Sequence, residues 1–220
     1  MDTTSIRYLA LGDSFTIGTG IQIERSFPAV LAQKWRDAGH AVELLNPAKN
    51  GYTTDELIGQ ELPHALGFAP TVVTLLIGAN DIVRGSDDSR YREQIRRIHR
   101  GLRSASIDPK AVIVLPQPEW SRSPAASPDG TPESLRTRIE HFNAITAEEA
   151  ERAGSPYVDL YPLMHRQAAA EMLATDELHP NVEAHAEWAV ALAAGVRLGT
   201  PASVGAPTSV GAPASLRAVR

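Results

Sequence analysis

Short apolar runs alternate with longer helical patterns along the chain, and this alternation constrains the fold more than any other feature. The clearest run, residues 71–77 (TVVTLLI), shows almost no polar alternation, which suits a strand covered on both faces. The other apolar runs lie at residues 8–11, 41–45, 111–115 and 157–160. Helical patterns lie at residues 27–38, 55–66, 91–104, 133–153 and 181–196. Alternating strands and helices predict an α/β fold with a central five-stranded parallel sheet and helices on both faces.

Composition narrows the classes of protein that this chain can belong to. It has 220 residues, a net charge of -5 and no dense basic run, so we expect no nucleic-acid partner. It has no cysteine, which excludes disulfides and thiolate chemistry. No apolar run approaches the ~18 residues that span a bilayer, and the first residues lack the features of a secretory signal. We therefore expect a cytoplasmic protein without a membrane partner and leave its oligomeric state open.

Two segments differ from the rest of the chain. Residues 200–220 have low charge and carry the pentapeptide SVGAP twice, which predicts a flexible Gly/Ala/Pro/Ser tail after one domain at residues 1–199. Residues 117–132 (QPEWSRSPAASPDGTP) are rich in Pro, Ser and Gly. We interpret this second segment as a long loop that forms a lid or a pocket wall.

Polar, glycine-bearing motifs follow the predicted strands. In parallel sheets, ligands bind beyond the carboxyl ends of the strands, so chemistry is expected in these places. Gly12-Asp13-Ser14 follows the first run, Asn50-Gly51-Tyr52-Thr53-Thr54 the second and Gly78-Ala79-Asn80-Asp81 the third, and Asp176-Glu177-Leu178-His179-Pro180 precedes the last helix. The topology predicts that all four meet at one crevice.

The chemistry of these motifs is complementary. Ser14 supplies a hydroxyl nucleophile, His179 can act as its base near neutral pH, and Asp176 is spaced to orient the imidazole from a tight turn. The Ser14 N–H, the Gly51 N–H and the Asn80 side chain can together form an oxyanion hole. Taken singly, each of these residues also fits a structural role in a turn or a cap.

Neighbouring residues have less specific interpretations. Asp13 is expected to brace its loop by hydrogen bonds, and Arg84 and Trp120 are candidates for pocket lining. Gly18-Thr19-Gly20 begins a dinucleotide-binding pattern, but its third glycine would fall at Ile23. No Gly-x-Ser-x-Gly elbow occurs, which disfavours the α/β-hydrolase layout.

The four motifs, in this order, resemble the sequence blocks of the SGNH hydrolase superfamily, the GDSL-type esterases and lipases. The resemblance covers residues 7–196 and implies a flavodoxin-like three-layer α/β/α sandwich. It implies Ser14, Asp176 and His179 as a catalytic triad, with an oxyanion hole formed by Ser14, Gly51 and Asn80. Two positions depart from the family pattern: Phe15 replaces leucine, and Glu177 stands where glycine is common and its unusual backbone angles are not expected of Glu. We expect Asp176 to face His179 and Glu177 to point to solvent.

These residues predict a serine hydrolase that cleaves carboxylic esters through an acyl-enzyme intermediate. A small-molecule ester is the expected partner, and the mechanism requires no metal or organic cofactor. The low aromatic content, 5%, and the lack of a long apolar cap favour short acyl groups such as acetyl. Two alternatives stay open: an acyltransferase with the same triad, and a non-catalytic module of the same fold that only binds its ligand.

Overall fold

The chain folds as strands and helices in alternation, as the sequence predicts. A computed structural model describes residues 5–195, so the predicted tail at residues 200–220 and the domain boundary at residue 199 lie outside the described residues. The strands are β1 (Ser5–Gly12), β2 (Ala41–Leu45), β3 (Val72–Leu76) and β4 (Val112–Val114). The helices are α1 (Ser14–Ile17), α2 (Phe27–Asp37), α3 (Thr54–Glu56), α4 (His64–Phe68), α5 (Ala79–Val83), α6 (Asp88–Ser104), α7 (Pro132–Ala153), α8 (Tyr161–Ala169) and α9 (Val182–Gly195).

The strands form one parallel sheet in the order β2-β1-β3-β4. The chain moves outward from β1 to β2 in one direction and from β3 to β4 in the other. Right-handed crossovers therefore place α2 and α6 on opposite faces of the sheet. Helix α9 packs on α2, and α7 packs on α6, which completes a layer on each face. The predicted three-layer α/β/α architecture is confirmed, and every residue of β3 is buried, as its unbroken apolar run predicts.

The predicted count of five strands is wrong, because the sheet of the described residues has four. Residues 157–160 reach the sheet only through a single parallel bridge between Tyr157 and Val114. The chain then turns away at once, since the Asp159 carboxylate accepts a hydrogen bond from the Tyr161 amide at 3.0 Å and α8 begins there. The fifth apolar run is too short to extend the pairing beyond this point.

The observed helices differ from the predicted ones in two ways. The predicted helix at 55–66 is divided into α3, a π-helical turn at Leu57–Glu61, and α4. Helices α1, α5 and α8 were not predicted, because the first two are a single turn and none has enough residues for a clear apolar period. The last helix does begin at its expected cap, where the Asn181 side chain accepts a hydrogen bond from the Ala184 amide at 3.0 Å.

Parallel strands bring their carboxyl ends to one edge of the sheet. Gly12, at the end of β1, pairs with Leu76 at the end of β3. The motif that follows each of these strands therefore emerges beside the other. None of the helices between residues 5 and 195 is long and apolar enough to cross a bilayer.

Candidate active site

Ser14 lies directly beyond the end of β1, as the first residue of α1. Only 5% of it is exposed. Asp13 caps this short helix, since its Oδ1 accepts a hydrogen bond from the Phe15 amide at 3.0 Å. This hydrogen bond braces the loop, as the sequence predicts. Asp13 is fully buried and does not contact solvent.

Asp176 and His179 face each other across a tight turn. Asp176 Oδ2 lies 2.7 Å from His179 Nδ1, and Asp176 Oδ1 accepts hydrogen bonds from the amides of Leu178 and His179. Burial opposes ionisation of this carboxyl, but the hydrogen bonds from His179 and Leu178 outweigh it and lower the pKa of Asp176. Asp176 is therefore a carboxylate that can fix the orientation and tautomer of the imidazole.

The His179 ring lies against the residue that follows Ser14. The centroids of the Phe15 and His179 rings are 5.3 Å apart, and the His179 side chain is 8% exposed. Among the hydrogen bonds of the described residues, none joins the Ser14 hydroxyl to the ring. The ring thus lies beside the residue that follows Ser14, without a hydrogen bond to the hydroxyl. Catalytic contacts often tighten only with substrate bound.

The second and third motifs contact each other directly. The Asn80 side chain donates from Nδ2 to the Tyr52 carbonyl at 2.9 Å, which holds Asn80 against the loop that contains Gly51. One of the two Asn80 amide protons makes this contact, and the other is left for a further acceptor. Gly51 has a φ of 83°, and a Cβ atom built there would meet nothing within 4 Å. Glycine is therefore favoured at this position by its backbone conformation and not by a lack of space.

Arg84, which the sequence suggests as a pocket-lining residue, holds the Gly51 loop. Its guanidinium donates to the Gly51 carbonyl at 2.7 Å and to Glu56 Oε1 at 2.8 Å. Glu56 in turn accepts from the Thr53 amide and hydroxyl in a capping box. Although burial opposes ionisation, these Thr53 and Arg84 contacts lower the pKa of Glu56 to about 2, so the arginine meets a carboxylate.

A buried acid that the sequence analysis did not single out lies beneath the Ser14 loop. Glu61 ends the π-helical turn, and its Oε2 accepts a hydrogen bond from the Gly12 amide at 2.9 Å. Burial raises the pKa of Glu61 to about 8 and that of Asp13 to about 7. No signal in the sequence marks Glu61, because it occupies an ordinary position in a helical pattern.

The backbone conformation of Glu177 differs from the one expected for glutamate. It is exposed, as expected, but it adopts the left-handed conformation with a φ of 57° that glycine would take more easily. The conformation lets the Glu177 carbonyl accept from the Ala125 amide at 3.4 Å while the Glu177 amide donates to Ala174. Glutamate at this position therefore keeps the turn that carries Asp176 and His179.

The loop at residues 117–132 contributes a wall beside this turn. Trp120 is 3% exposed, so this part of the loop is packed in the core and is not a lid. Together with Phe15, which follows Ser14, and Leu178, which precedes His179, it lines a cavity of about 20 Å³. A cavity of this size has room for about one water molecule.

The arrangement can carry out nucleophilic chemistry on an acyl group. It contains a buried hydroxyl, an imidazole with an ordered carboxylate partner, and backbone and side-chain N–H donors near the same sheet edge. Among residues 5–195, no cluster of three or more His, Asp and Glu side chains is placed to hold a metal ion.

Comparison with known proteins assigns the chain to a family. The model of the GDSL-like lipase/acylhydrolase family matches residues 10–187. An arylesterase of Vibrio mimicus is 35% identical over 82 residues, which cover 37% of this chain and 40% of that protein. The thioesterase 1/protease 1/lysophospholipase L1 of Escherichia coli (strain K12) is 24% identical over 184 residues, which cover 82% of this chain and 79% of that protein.

Solved structures share the fold. The crystal structure of TesA superimposes with a TM-score of 0.67 at 21% identity and covers 84% of this chain and 95% of its own. An acetyl xylan esterase from Geobacillus stearothermophilus gives a TM-score of 0.71 at 18% identity, with 92% and 100% of the two chains covered. The family match over most of the chain and the shared fold lead to one conclusion: this chain belongs to the GDSL-like lipase/acylhydrolase family and is a carboxylic ester hydrolase.

Proposed function

We propose that this enzyme hydrolyses esters of short acyl groups, with Ser14 as nucleophile, His179 as general base and Asp176 as the group that orients His179. The observation that carries the proposal is the 2.7 Å contact between Asp176 Oδ2 and His179 Nδ1, on a ring that packs against the neighbour of Ser14. With Nδ1 bonded to the carboxylate, Nε2 is the nitrogen that accepts the proton of the hydroxyl.

The reaction runs in two halves. Ser14 Oγ attacks the acyl carbon while His179 Nε2 takes its proton, and the N–H groups of Ser14, Gly51 and the Asn80 side chain stabilise the oxyanion. The bond to the alcohol breaks, His179 returns the proton to the alkoxide, and the acyl group stays on Ser14. Water then attacks the acyl-enzyme by the same route and releases the acid. Each oxyanion donor contributes on the order of 3 kcal/mol to transition-state stabilisation.

Fluorophosphonate labelling tests the nucleophile. We expect the wild-type enzyme to be labelled at Ser14, located by mass mapping, and the Ser14→Ala variant to lose both labelling and turnover of p-nitrophenyl acetate. The circular dichroism spectrum of Ser14→Ala should match that of the wild type, because the Ser14 hydroxyl forms no hydrogen bond with the backbone of the described residues. Product analysis with added alcohols separates hydrolysis from acyl transfer, since transfer would give a new ester in place of the acid.

Ser155 offers a matched control for this experiment. It is 6% exposed, and its hydroxyl lies 3.5 Å from His99 Nδ1, so it is also a buried serine beside an imidazole. Burial lowers the pKa of His99 to about 4, and its ring has no carboxylate partner within the described residues. Ser155→Ala should retain full labelling; label on Ser155 and none on Ser14 would refute the proposed mechanism.

The short-acyl preference rests on the small cavity lined by Phe15, Trp120 and Leu178. A cavity with room for about one water molecule favours an acyl group no larger than acetyl, because a longer chain would have to displace these side chains. The name of the Escherichia coli relative includes thioesterase activity, so thioesters of the same acyl groups belong in the substrate panel.

A chain-length series tests this preference. For p-nitrophenyl acetate, butyrate and octanoate, we expect kcat/KM to fall along the series by roughly tenfold or more per step. Trp120→Ala should raise the butyrate-to-acetate ratio, because removal of the indole opens the cavity. Equal kcat/KM for acetate and octanoate in the wild-type enzyme would show that the acyl chain binds elsewhere.

A further inference from the structure

Gly20 belongs to the Gly18-Thr19-Gly20 segment, which the proposed function does not use. It lies against the turn that carries Asp176. A Cβ atom built at Gly20 would lie 2.8 Å from Asp176 Oδ2 and 2.9 Å from the Ala174 Cβ, closer than real Cβ contacts. Any side chain at this position would have to displace the carboxylate or the turn.

The oxygen that Gly20 approaches is the one that orients His179. Asp176 Oδ2 makes the 2.7 Å contact with His179 Nδ1, whereas Oδ1 is held by the amides of Leu178 and His179. The Asp176 side chain is 34% exposed, so few protein atoms surround it and each contact contributes strongly to its position. Rotation of the carboxylate away from a new Cβ atom would lengthen the contact with His179.

We propose that Gly20 is a positioning residue, whose missing side chain allows the Asp176 carboxylate to keep its hydrogen bond to His179. This inference rests on the proposed role of Asp176. Gly20 is separated from Asp176 by most of the chain, and it has no side chain that could take part in the reaction. It acts only through the space that it leaves for Oδ2.

Backbone strain is the effect that must be separated from this contact. Gly20 has a φ of 86°, so any substitution costs conformational energy whatever the space around it. Gly39 provides the matched control, because its φ is 95° and a Cβ atom there would meet nothing within 4 Å. Gly39→Ala carries the strain without the contact.

The test is a double-mutant cycle on p-nitrophenyl acetate with Gly20→Ala, Asp176→Asn and the double variant. We expect Gly20→Ala to lower kcat by about tenfold or more with little change in KM, since a misplaced orienting group reduces the chemical step. In the Asp176→Asn background the same change should cost less than about twofold, because the two substitutions remove one interaction. Gly39→Ala should lower the melting temperature and leave kcat unchanged.

Proton NMR gives a readout that does not depend on activity. The His179 Nδ1 proton, bonded to Asp176, should resonate far downfield in the wild type and in Gly39→Ala and should shift or broaden in Gly20→Ala. If Gly20→Ala fails to fold, Gly20→Asn introduces the same Cβ atom with less strain, because Asn tolerates left-handed backbone, and replaces it in the cycle.

The outcomes separate the two proposals. Unchanged kcat and an unshifted Nδ1 proton in Gly20→Ala, with Asp176→Asn strongly impaired, overturn the role of Gly20 alone. Fully multiplicative losses in the double variant also overturn it, because Gly20 would then act independently of Asp176. Full activity of Asp176→Asn would overturn the proposed triad and, with it, this inference.

Discussion

Two carboxyl groups are buried directly behind Ser14. Asp13 and Glu61 each use one oxygen to accept a backbone amide, from Phe15 and Gly12 respectively. Their second oxygens, Asp13 Oδ2 and Glu61 Oε1, have no hydrogen-bond partner among the described residues. Burial raises both pKa values, to about 7 and about 8, so the folded enzyme binds protons that the unfolded chain releases near pH 4.

This difference predicts a dependence of stability on pH. A raised carboxyl pKa gives stability that is fully present below the unfolded value and is lost as the pH rises through about 8. The wild-type melting temperature should therefore fall between pH 7 and pH 9, above the range in which the buried His99 and His185, whose pKa values burial lowers, make stability rise with pH. In Glu61→Gln, which keeps an acceptor for the Gly12 amide and does not titrate, we expect a smaller fall, measured by differential scanning calorimetry.

Glu93→Gln is the control for this comparison. Glu93 is exposed, and its hydrogen bond with Arg100 lowers its pKa, so its replacement should not reduce the fall between pH 7 and pH 9. Parallel profiles of Glu61→Gln and the wild type would mean that Glu61 does not titrate in this range.

At the scale of elements, α5 holds the loop that carries Gly51. Asn80 donates to the Tyr52 carbonyl, and Asp81 accepts from the Thr54 amide at 3.0 Å and from the Thr54 hydroxyl at 2.5 Å. Arg84, which follows the last residue of α5, donates hydrogen bonds to the Gly51 carbonyl and to Glu56. This one-turn helix thus holds the backbone of Gly51, one proposed oxyanion donor, close to the side chain of Asn80, another proposed donor.

Removal of the arginine should loosen this arrangement. We expect Arg84→Ala to lower kcat for p-nitrophenyl acetate by roughly tenfold, because a small displacement of a preorganised donor has a large kinetic cost. KM should change less, and the melting temperature should fall only slightly, since the Arg84 side chain is 55% exposed. Steady-state kinetics and a thermal melt measure both quantities.

Arg100→Ala serves as the matched control. Arg100 forms a similarly exposed ion pair with Glu93 on α6, at 2.6 Å, away from the proposed site. Its removal should leave kcat unchanged. Equal kinetic effects of the two substitutions would mean that Arg84 acts through surface charge and not through its hold on Gly51.

At the scale of the whole molecule, the sheet brings distant segments together. The order β2-β1-β3-β4 puts the ends of β1 and β3 side by side, and α9 on α2 brings the His179 turn to the residues that follow β1. The family match and the shared fold of solved structures agree with this architecture. The proposed nucleophile, base and oxyanion donors thus come from four segments that meet only in the folded chain.

Most of the fold could be predicted because its signals are local or periodic. The apolar runs gave four of the strands, and the spacing of Asp176 and His179 placed both on one turn, where the structure joins them. The fifth strand was wrong, because the Asp159 turn that ends it is a stronger local signal than four apolar-leaning residues. The division of the predicted helix at 55–66 was missed, because a π-helical turn leaves no trace in the apolar pattern.

The sequence by itself determined the alternation of strands and helices, the four motifs and the turn that pairs Asp176 with His179, since each depends on residues close in the chain. Only the tertiary structure decided that Glu61 lies under Gly12, 49 residues away, that Arg84 holds Gly51, 33 residues away, and that Gly20 adjoins Asp176. These contacts depend on how elements pack, and packing is a property of the whole fold that no local spacing encodes.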